Sequence, residues 1–247
     1  MNIVGIIPAR MDSSRFPGKP MANINGTPMI GHVYKRTSMC DDLLGTYVAT
    51  CDKEISDYME SIGGTAIMTS PNHERASERS AEALLKIEER IGKKVDIVVM
   101  VQGDEPMVTS SMIQKSLEPF KDESVNVVNL MGKMETIEEF QDPNEVKVVI
   151  NLNNDAIYFS REPIPSLKKG GGKIPMLKQV CVITFRRSSL EKFNSLPETS
   201  LERIESIDMN RLIEHGFKVR MVLIEEQTYS VDTRKDLRKV KKLLLER

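Results

Sequence analysis

Ile3-Val4-Gly5-Ile6-Ile7, running into Pro8-Ala9-Arg10-Met11-Asp12-Ser13-Ser14-Arg15-Phe16-Pro17-Gly18-Lys19-Pro20, decides how the rest of the chain is read. The first five residues are apolar and rich in β-branched side chains, which suits a strand buried on both faces. A long loop comes next, carrying three cations, Arg10, Arg15 and Lys19, beside two hydroxyls and one glycine. Strands buried on both faces belong to sheets with helices on either side, where ligands bind beyond the carboxyl ends of the strands. The loop after this strand is therefore the first place to look for a ligand. Its cations and backbone N–H groups suit a polyphosphate; the alternative is an exposed connection whose charges are merely solvated. It is not a Walker A loop, because Lys19 is followed by Pro20 and the first glycine is missing.

Working outward, similar apolar runs recur at residues 46–50, 65–68, 96–101, 125–130, 146–150, 179–185 and 219–224. Helical patterns separate most of them, among them 29–38, 53–62 and 77–90. Asp52 stands where an N-cap would open the second helix, and Gly63-Gly64 where that helix would stop. Thr199 with Glu202 reads as a capping box that opens one helix toward His215, ended by Gly216. A last helix from near Thr233 is expected to bury Leu237, Val240 and Leu244. Strands alternating with helices predict an α/β fold: a single domain over residues 1–247, with a mostly parallel mixed sheet flanked by helices. Between about 125 and 190 the alternation weakens, which predicts an inserted strand-rich subdomain. Lys168-Lys169-Gly170-Gly171-Gly172-Lys173 within it reads as a mobile loop.

The 247 residues carry 35 Lys plus Arg against 36 Asp plus Glu, a net charge of −1. That balance argues against a protein held on nucleic acid or an anionic membrane by bulk charge, and leaves room for a local site for a small anion. No apolar run approaches the ~18 residues of a membrane span. The amino terminus lacks the basic flank and apolar length of a signal peptide. Cys40, Cys51 and Cys181 lie far apart with no Cys-x-x-Cys spacing, so neither a disulfide framework nor a zinc knuckle is indicated. A cytoplasmic protein is expected, with no nucleic-acid partner and no membrane insertion.

Two carboxylate positions carry the remaining chemistry. Gln102-Gly103-Asp104-Glu105-Pro106 comes straight after the apolar strand ending at Val101. A carboxylate at a strand end beside a phosphate loop suits Mg2+, which takes one or two carboxylates plus phosphate oxygens. Simple turn chemistry explains the same string equally well. In Ser230-Val231-Asp232-Thr233, Asp232 reads first as the N-cap of the last helix. Elsewhere the residues read as structural: His32 lies inside a helical pattern, and His215 lies at a helix end that suits its partial charge. The three histidines form no metal-spaced cluster, no Ser or Cys sits in a nucleophile elbow, and no Gly-x-Gly-x-x-Gly is present.

Six strings, taken in order, then carry a family resemblance. They are Ile6-Ile7-Pro8-Ala9-Arg10 with Ser14-Arg15-Phe16-Pro17-Gly18-Lys19-Pro20; Val48-Ala49-Thr50; Gln102-Gly103-Asp104-Glu105-Pro106; Asp142-Pro143-Asn144-Glu145-Val146-Lys147; Tyr158-Phe159-Ser160-Arg161-Glu162-Pro163-Ile164-Pro165; and Val231-Asp232-Thr233. Over essentially its full length the chain resembles the 3-deoxy-manno-octulosonate cytidylyltransferase (CMP-Kdo synthetase) family. The resemblance implies a Rossmann-like nucleotide-diphospho-sugar transferase fold, usually a homodimer, with the 125–190 region helping form the subunit contact. It also implies a reaction: CTP and a 3-deoxy-2-ulosonic acid give the CMP-sugar and pyrophosphate, with Mg2+. By position, Pro8, Ala9, Arg10, Ser14, Arg15 and Lys19 would hold the nucleotide together with Ala49, Thr50, Arg79 and Gln102. Gln102, Arg161, Gln179 and Asp208 would meet the acidic sugar. Asp104 and Asp232 would bind the metal and, with Lys19, carry catalysis. That assignment displaces the reading of Asp232 as a cap alone.

The sequence also departs from the family. His-x-Ser-Gly-Thr-Asp-Arg is typical where this chain has His73-Glu74-Arg75-Ala76-Ser77-Glu78-Arg79. A histidine that ordinarily faces the sugar is replaced by Gln179, and the usual Glu-Gln-Leu-Arg by Asp208-Met209-Asn210-Arg211. A loop near the base or sugar thus gains the cation Arg75 and a Cβ at Ala76. The thioether of Met209 is expected to remove polar contacts to sugar hydroxyls. Either Kdo remains the acceptor, or the pocket is refitted for a different acid such as an amino-modified ulosonic acid. A reading from another class is a non-catalytic relative that only binds nucleotide. Retention of Arg10, Arg15, Lys19, Asp104 and Asp232 argues against it.

Overall fold

The computed structural model describes residues 1–12, 16–169 and 174–245. The apolar run at the amino terminus forms β1 (Ile3–Pro8), buried along its whole length. A small antiparallel ladder, β2 (Asn23–Ile24) with β3 (Thr27–Pro28), leads into α1 (Met29–Thr37). Then come β4 (Gly45–Thr50), α2 (Lys53–Ser61), β5 (Ala66–Met68), α3 (Ala76–Ile91) and β6 (Ile97–Val101). β4 and β6 pair in parallel on either side of β1, and β5 lies parallel beyond β4. Alternate side chains of β1 serve two cores, as a period of two requires. Val4 and Ile6 pack with Ala83, Leu84 and Ile87 of α3, whereas Ile3 and Ile7 pack with Ile30 and Val33 of α1 and Ile55 of α2.

Past β6 the direction of the sheet reverses. α4 (Ser110–Leu117) and β7 (Val127–Lys133) are followed by α5 (Ile137–Gln141) and the hairpin β8 (Lys147–Ile150) with β9 (Ala156–Ser160). β10 (Leu177–Arg186) runs antiparallel to both β6 and β7. α6 (Arg187–Ser195), α7 (Ser200–Glu205), α8 (Met209–Glu214), β11 (Arg220–Leu223) and α9 (Arg234–Leu243) complete the chain, with β11 parallel to β7. Among the described residues the order is β11-β7-β10-β6-β1-β4-β5, with the β8–β9 hairpin hung on β10. The mixed, mostly parallel sheet is as expected; within 125–190, β7 and β10 are strands of this same sheet, and the β8–β9 hairpin alone of the described strands there stands off its main path.

Three expectations need correction. The helix foreseen from Thr199 to His215 is two helices, α7 and α8, because Ser206 takes a left-handed φ of 54°. Its N–H and that of Ile207 both return to the Glu202 carbonyl, which closes α7. Asp52 occupies the N-cap position of α2 but its carboxylate accepts from the Met11 N–H at 2.8 Å, tying α2 to the loop after β1. In α9, Val240 is fully buried while Leu237 and Leu244 are only partly so. Of the loop expected at 168–173, residues 170–173 lie outside the described residues. None of the described helices is long and apolar enough to cross a membrane.

Candidate active site

β1 and β6 end side by side, and the loops leaving them floor a cleft. Ala9 continues the line of β1, its N–H donating to the Ala49 carbonyl at 2.9 Å, and Arg10 turns out to solvent. The loop closes where Gly18, at φ 72°, donates its N–H to the Met11 carbonyl at 3.0 Å; that left-handed conformation favours glycine. A single 3-10 turn, Lys19–Met21, then returns Lys19 beneath the strand ends. From β6, the 102–106 turn passes against the end of β1. A Cβ on Gly103 would stand 3.1 Å from the Pro8 carbonyl oxygen, which explains the glycine.

These loops, with the one before α9, bring three charges together. Lys19 Nζ lies 2.6 Å from Asp104 Oδ2 and 3.4 Å from Asp232 Oδ1, and all three side chains are largely buried. Burial pulls the Lys19 ammonium down, yet the two carboxylates outweigh it and hold its pKa above the ordinary lysine value. Lys19 therefore stays charged. Asp104 Oδ1 is buried with no hydrogen-bond partner among the described residues, a costly arrangement in a protein interior.

Asp232 reaches this group because its neighbour takes the cap. Thr233 Oγ1 accepts from the N–H groups of Lys235 and Asp236, and Asp236 Oδ2 accepts from the Thr233 N–H at 2.8 Å. The reading of Asp232 as the N-cap is thus corrected: Thr233 caps α9, and the Asp232 carboxylate faces Lys19. The fully buried Val231 anchors the segment beside Phe16, Ile24 and Met29. Its N–H donates to the Asp104 carbonyl at 2.9 Å, which locks the two carboxylate loops together.

A bulge in β10 completes the floor. Pairing with β7 shifts register between Val180 and Ile183, so Cys181 leaves the ladder and turns its polar groups toward the cleft. The Cys181 carbonyl accepts from the Gln102 N–H at 3.0 Å, and its N–H donates to Glu105 Oε1 at 3.0 Å. Glu105 is buried and its pKa is pushed up to about 8, chiefly by burial and then by the charge of Asp104. Asn129 fills the bulge from the other side, donating to the Val180 carbonyl at 2.8 Å and accepting from Gln179 Nε2 at 2.6 Å. The sequence reading assigned no role to Glu105 or Asn129. Lys147, also unassigned, is fully buried and donates to the carbonyls of Asp142 and Glu145 at 2.8 and 2.7 Å, fixing a turn in the cleft wall.

Two cavities meet at Lys19, Gln102 and Asp104. The first, about 350 Å3, takes in Pro8, Ala9, Arg10, Arg75 and Arg79; the second, about 160 Å3, takes in Arg161, Gln179, Asp208 and Asp232. Most of the expected nucleotide residues thus line one side and the expected sugar residues the other. Ala49 and Thr50 are fully buried and lie outside both linings. Ser14 and Arg15 lie outside the described residues. Arg79 is 3% exposed and spends its guanidinium on Thr69 Oγ1 and on the carbonyls of Ser70 and His73, so it shapes the cavity wall. Arg161 likewise joins two walls, donating to the carbonyls of Glu205 at 2.7 Å and Pro143 at 3.0 Å.

The departures from the family pattern find their places here. Arg75 pairs with Glu198 at 2.9 Å and Asp208 at 3.6 Å, so its added charge is met within the wall. Asp208 also accepts from Ser77 Oγ at 3.0 Å; burial raises its pKa against the pull of Arg75. Met209 is fully buried in the core under α8 and lines neither cavity, so the expected loss of a polar sugar contact has no counterpart here.

The donor set suits Mg2+. Asp104 and Asp232 present two carboxylates, one with a buried oxygen that has no hydrogen-bond partner among the described residues, and Lys19 sits between them where a cation is favoured. Among the described residues no group of three or more His, Cys, Asp or Glu side chains could hold a metal. The remaining ligands would therefore be phosphate oxygens and water, the usual way Mg2+ is bound.

The sequence matches the cytidylyltransferase family over residues 4–227. It is 38% identical over 252 residues to the 3-deoxy-manno-octulosonate cytidylyltransferase of Trichlorobacter lovleyi, covering 98% of each chain. The protein of the same name from Syntrophobacter fumaroxidans is 40% identical, covering 97% of this chain and 96% of its own. Among solved structures, CMP:2-keto-3-deoxy-manno-octonic acid synthetase complexed with CTP superposes with a TM-score of 0.90 at 36% identity, covering 100% of this chain and 99% of the other. A glucose-1-phosphate thymidylyltransferase from Bacillus anthracis, at 17% identity, covers 98% of this chain and 94% of its own with a TM-score of 0.68; it shares the fold. With the Lys19–Asp104–Asp232 group at the strand ends, these likenesses place the chain in the cytidylyltransferase family, among the 3-deoxy-manno-octulosonate cytidylyltransferases.

Proposed function

We propose that the protein transfers CMP from CTP to the anomeric hydroxyl of 3-deoxy-manno-octulosonate, releasing pyrophosphate, with Mg2+ held by Asp104 and Asp232. The observation that carries the catalytic reading is the buried Lys19–Asp104–Asp232 group, with Asp104 Oδ1 unpartnered among the described residues, at the junction of a nucleotide-side and an acceptor-side cavity. Arg10 and Lys19 meet the triphosphate as fixed cations and offset the charge that gathers on departing pyrophosphate. Gln102, held by Cys181, stands where both substrates reach it. Arg161, Gln179 and Asp208 face the acid on the other side. Holding the acceptor oxygen and the α-phosphorus in one cleft supplies much of the rate, because the attack becomes effectively intramolecular. When bound, Mg2+ withdraws charge from the phosphates and acidifies the acceptor hydroxyl. The new P–O bond forms as the bond to pyrophosphate breaks, and no side-chain nucleophile is required.

The enzyme works as a homodimer in the cytoplasm on this reading. Leu152 and Ile157 stand exposed on the β8–β9 hairpin, the kind of apolar surface a partner subunit covers, and Cys40, Cys51 and Cys181 are free thiols suited to a reducing compartment. Pyrophosphate release from CTP and Kdo tests the assignment. It is expected to stop with EDTA and return with Mg2+. CTP binding without turnover on any ulosonic acid would favour the non-catalytic reading.

A further inference from the structure

Away from the catalytic cleft, a second hollow of about 590 Å3 opens between the amino ends of β7 and β11 and the start of α6. Its wall is chemically unfinished. Asp155, 3% exposed, binds Arg220 Nε through Oδ1 at 2.7 Å, while Oδ2 is buried with no hydrogen-bond partner among the described residues. Lys192 and Lys218, exposed at the rim, have no ion-pair partner among the described residues. Leu212 and the half-exposed ring of Phe217 supply an apolar side. The size lies within the ~300–1,000 Å3 of small-molecule sites, and a few placed polar groups on an apolar wall are what such sites show.

We propose that this cavity is a second, non-catalytic site that takes a small hydroxylated phosphate ester such as a sugar phosphate. The phosphate dianion meets the exposed Lys192 and Lys218 together with Arg220, whose own charge is shared with Asp155 and, at longer range, Asp122. A ligand hydroxyl donates to Asp155 Oδ2, and the C–H face of the sugar lies on Phe217. Inorganic phosphate supplies only the first of these contacts and a free sugar only the others. The site shares α8 with the catalytic cleft: Asp208 at the start of that helix lines the acceptor-side cavity, and Leu212 lines this one.

Calorimetric titration of the intact enzyme with glucose 6-phosphate, under saturating CTP, tests the site, with glucose and inorganic phosphate as separate arms. Saturable binding at least tenfold tighter than either arm is expected, weakened tenfold or more in a Lys192→Glu, Lys218→Glu double variant. Both substitutions lie on the surface outside the catalytic cleft, so that variant keeps its pyrophosphate-release rate. Absence of saturable binding, equal affinity for the three probes, or binding unchanged in the double variant overturns the proposal.

Discussion

Lys19, Asp104 and Asp232 divide two tasks between three side chains. The ammonium neutralises two carboxylates that would otherwise repel in a largely buried place, and the carboxylates keep the ammonium charged, as the proposed contact with a triphosphate requires. Asp104→Asn preserves shape and removes the charge. It is expected to lower kcat by about a thousandfold, with CTP affinity changed only severalfold and an unaltered thermal melt; Asp232→Asn behaves alike. Near-normal kcat in either variant would contradict the metal assignment. Much of this group was legible in the sequence, since a cationic loop after a buried strand and a carboxylate after another both mark strand ends. Asp232 was ambiguous because it and the neighbouring Thr233 are both good caps, and only the capping box of Thr233 with Asp236 leaves the Asp232 carboxylate to the cleft. Glu105 and Asn129 were not legible at all. Each bonds to backbone groups exposed by the β10 bulge, and a break in register leaves no mark on side-chain periodicity.

At the level of elements, the cleft depends on how helices are pinned to one another. Arg75, at the start of α3, reaches Glu198, Glu202 and Asp208 around α7 and α8, so the cation absent from the family pattern fastens the cleft wall. At the far end of α3, Glu88 accepts from Arg187 Nε at 2.7 Å, Arg187 Nη2 at 2.9 Å and the Val95 N–H at 2.9 Å. The Arg187 hydrogen bonds, against burial, lower its pKa from 4.5 to about 2. A carboxylate depressed in the folded state stabilises above its unfolded pKa and loses that contribution as pH falls toward the folded one. Glu88→Gln is thus expected to cost about 2–3 kcal/mol at pH 7. In urea melts the gap to wild type should narrow below pH 4.5 and be nearly closed at pH 2; a gap constant with pH would contradict the clamp. The helix that carries Arg187 escaped the sequence reading for a physical reason. α6, no shorter than α1 or α2, begins at Arg187 directly where β10 ends at Arg186, so no turn residue marks the change from strand to helix.

For the whole molecule, a net charge of −1 conceals a strongly charged cleft. On the proposed reading, cations gather where the triphosphate is to lie and carboxylates where Mg2+ would sit, so overall neutrality excludes only partners held by bulk charge. The exposed Leu152 and Ile157 of the β8–β9 hairpin carry the dimer proposal: light scattering is expected to give twice the chain mass, and Leu152→Asp with Ile157→Asp to give a monomer. An unchanged mass in that variant would move the contact elsewhere. The alternation of strands and helices made the parallel half of the sheet readable, whereas the reversal at β10 arises from long-range pairing that no local pattern announces. Substrate choice is where the departures at Arg75, Gln179 and Asp208 weigh most. The decisive measurement is kcat/KM for pyrophosphate release from CTP across a panel of acids: Kdo, an amino-modified ulosonic acid and unrelated sugar acids. The account predicts the highest value for Kdo, with CTP as the preferred nucleotide. Turnover favouring another acid, or none with Kdo, would contradict it.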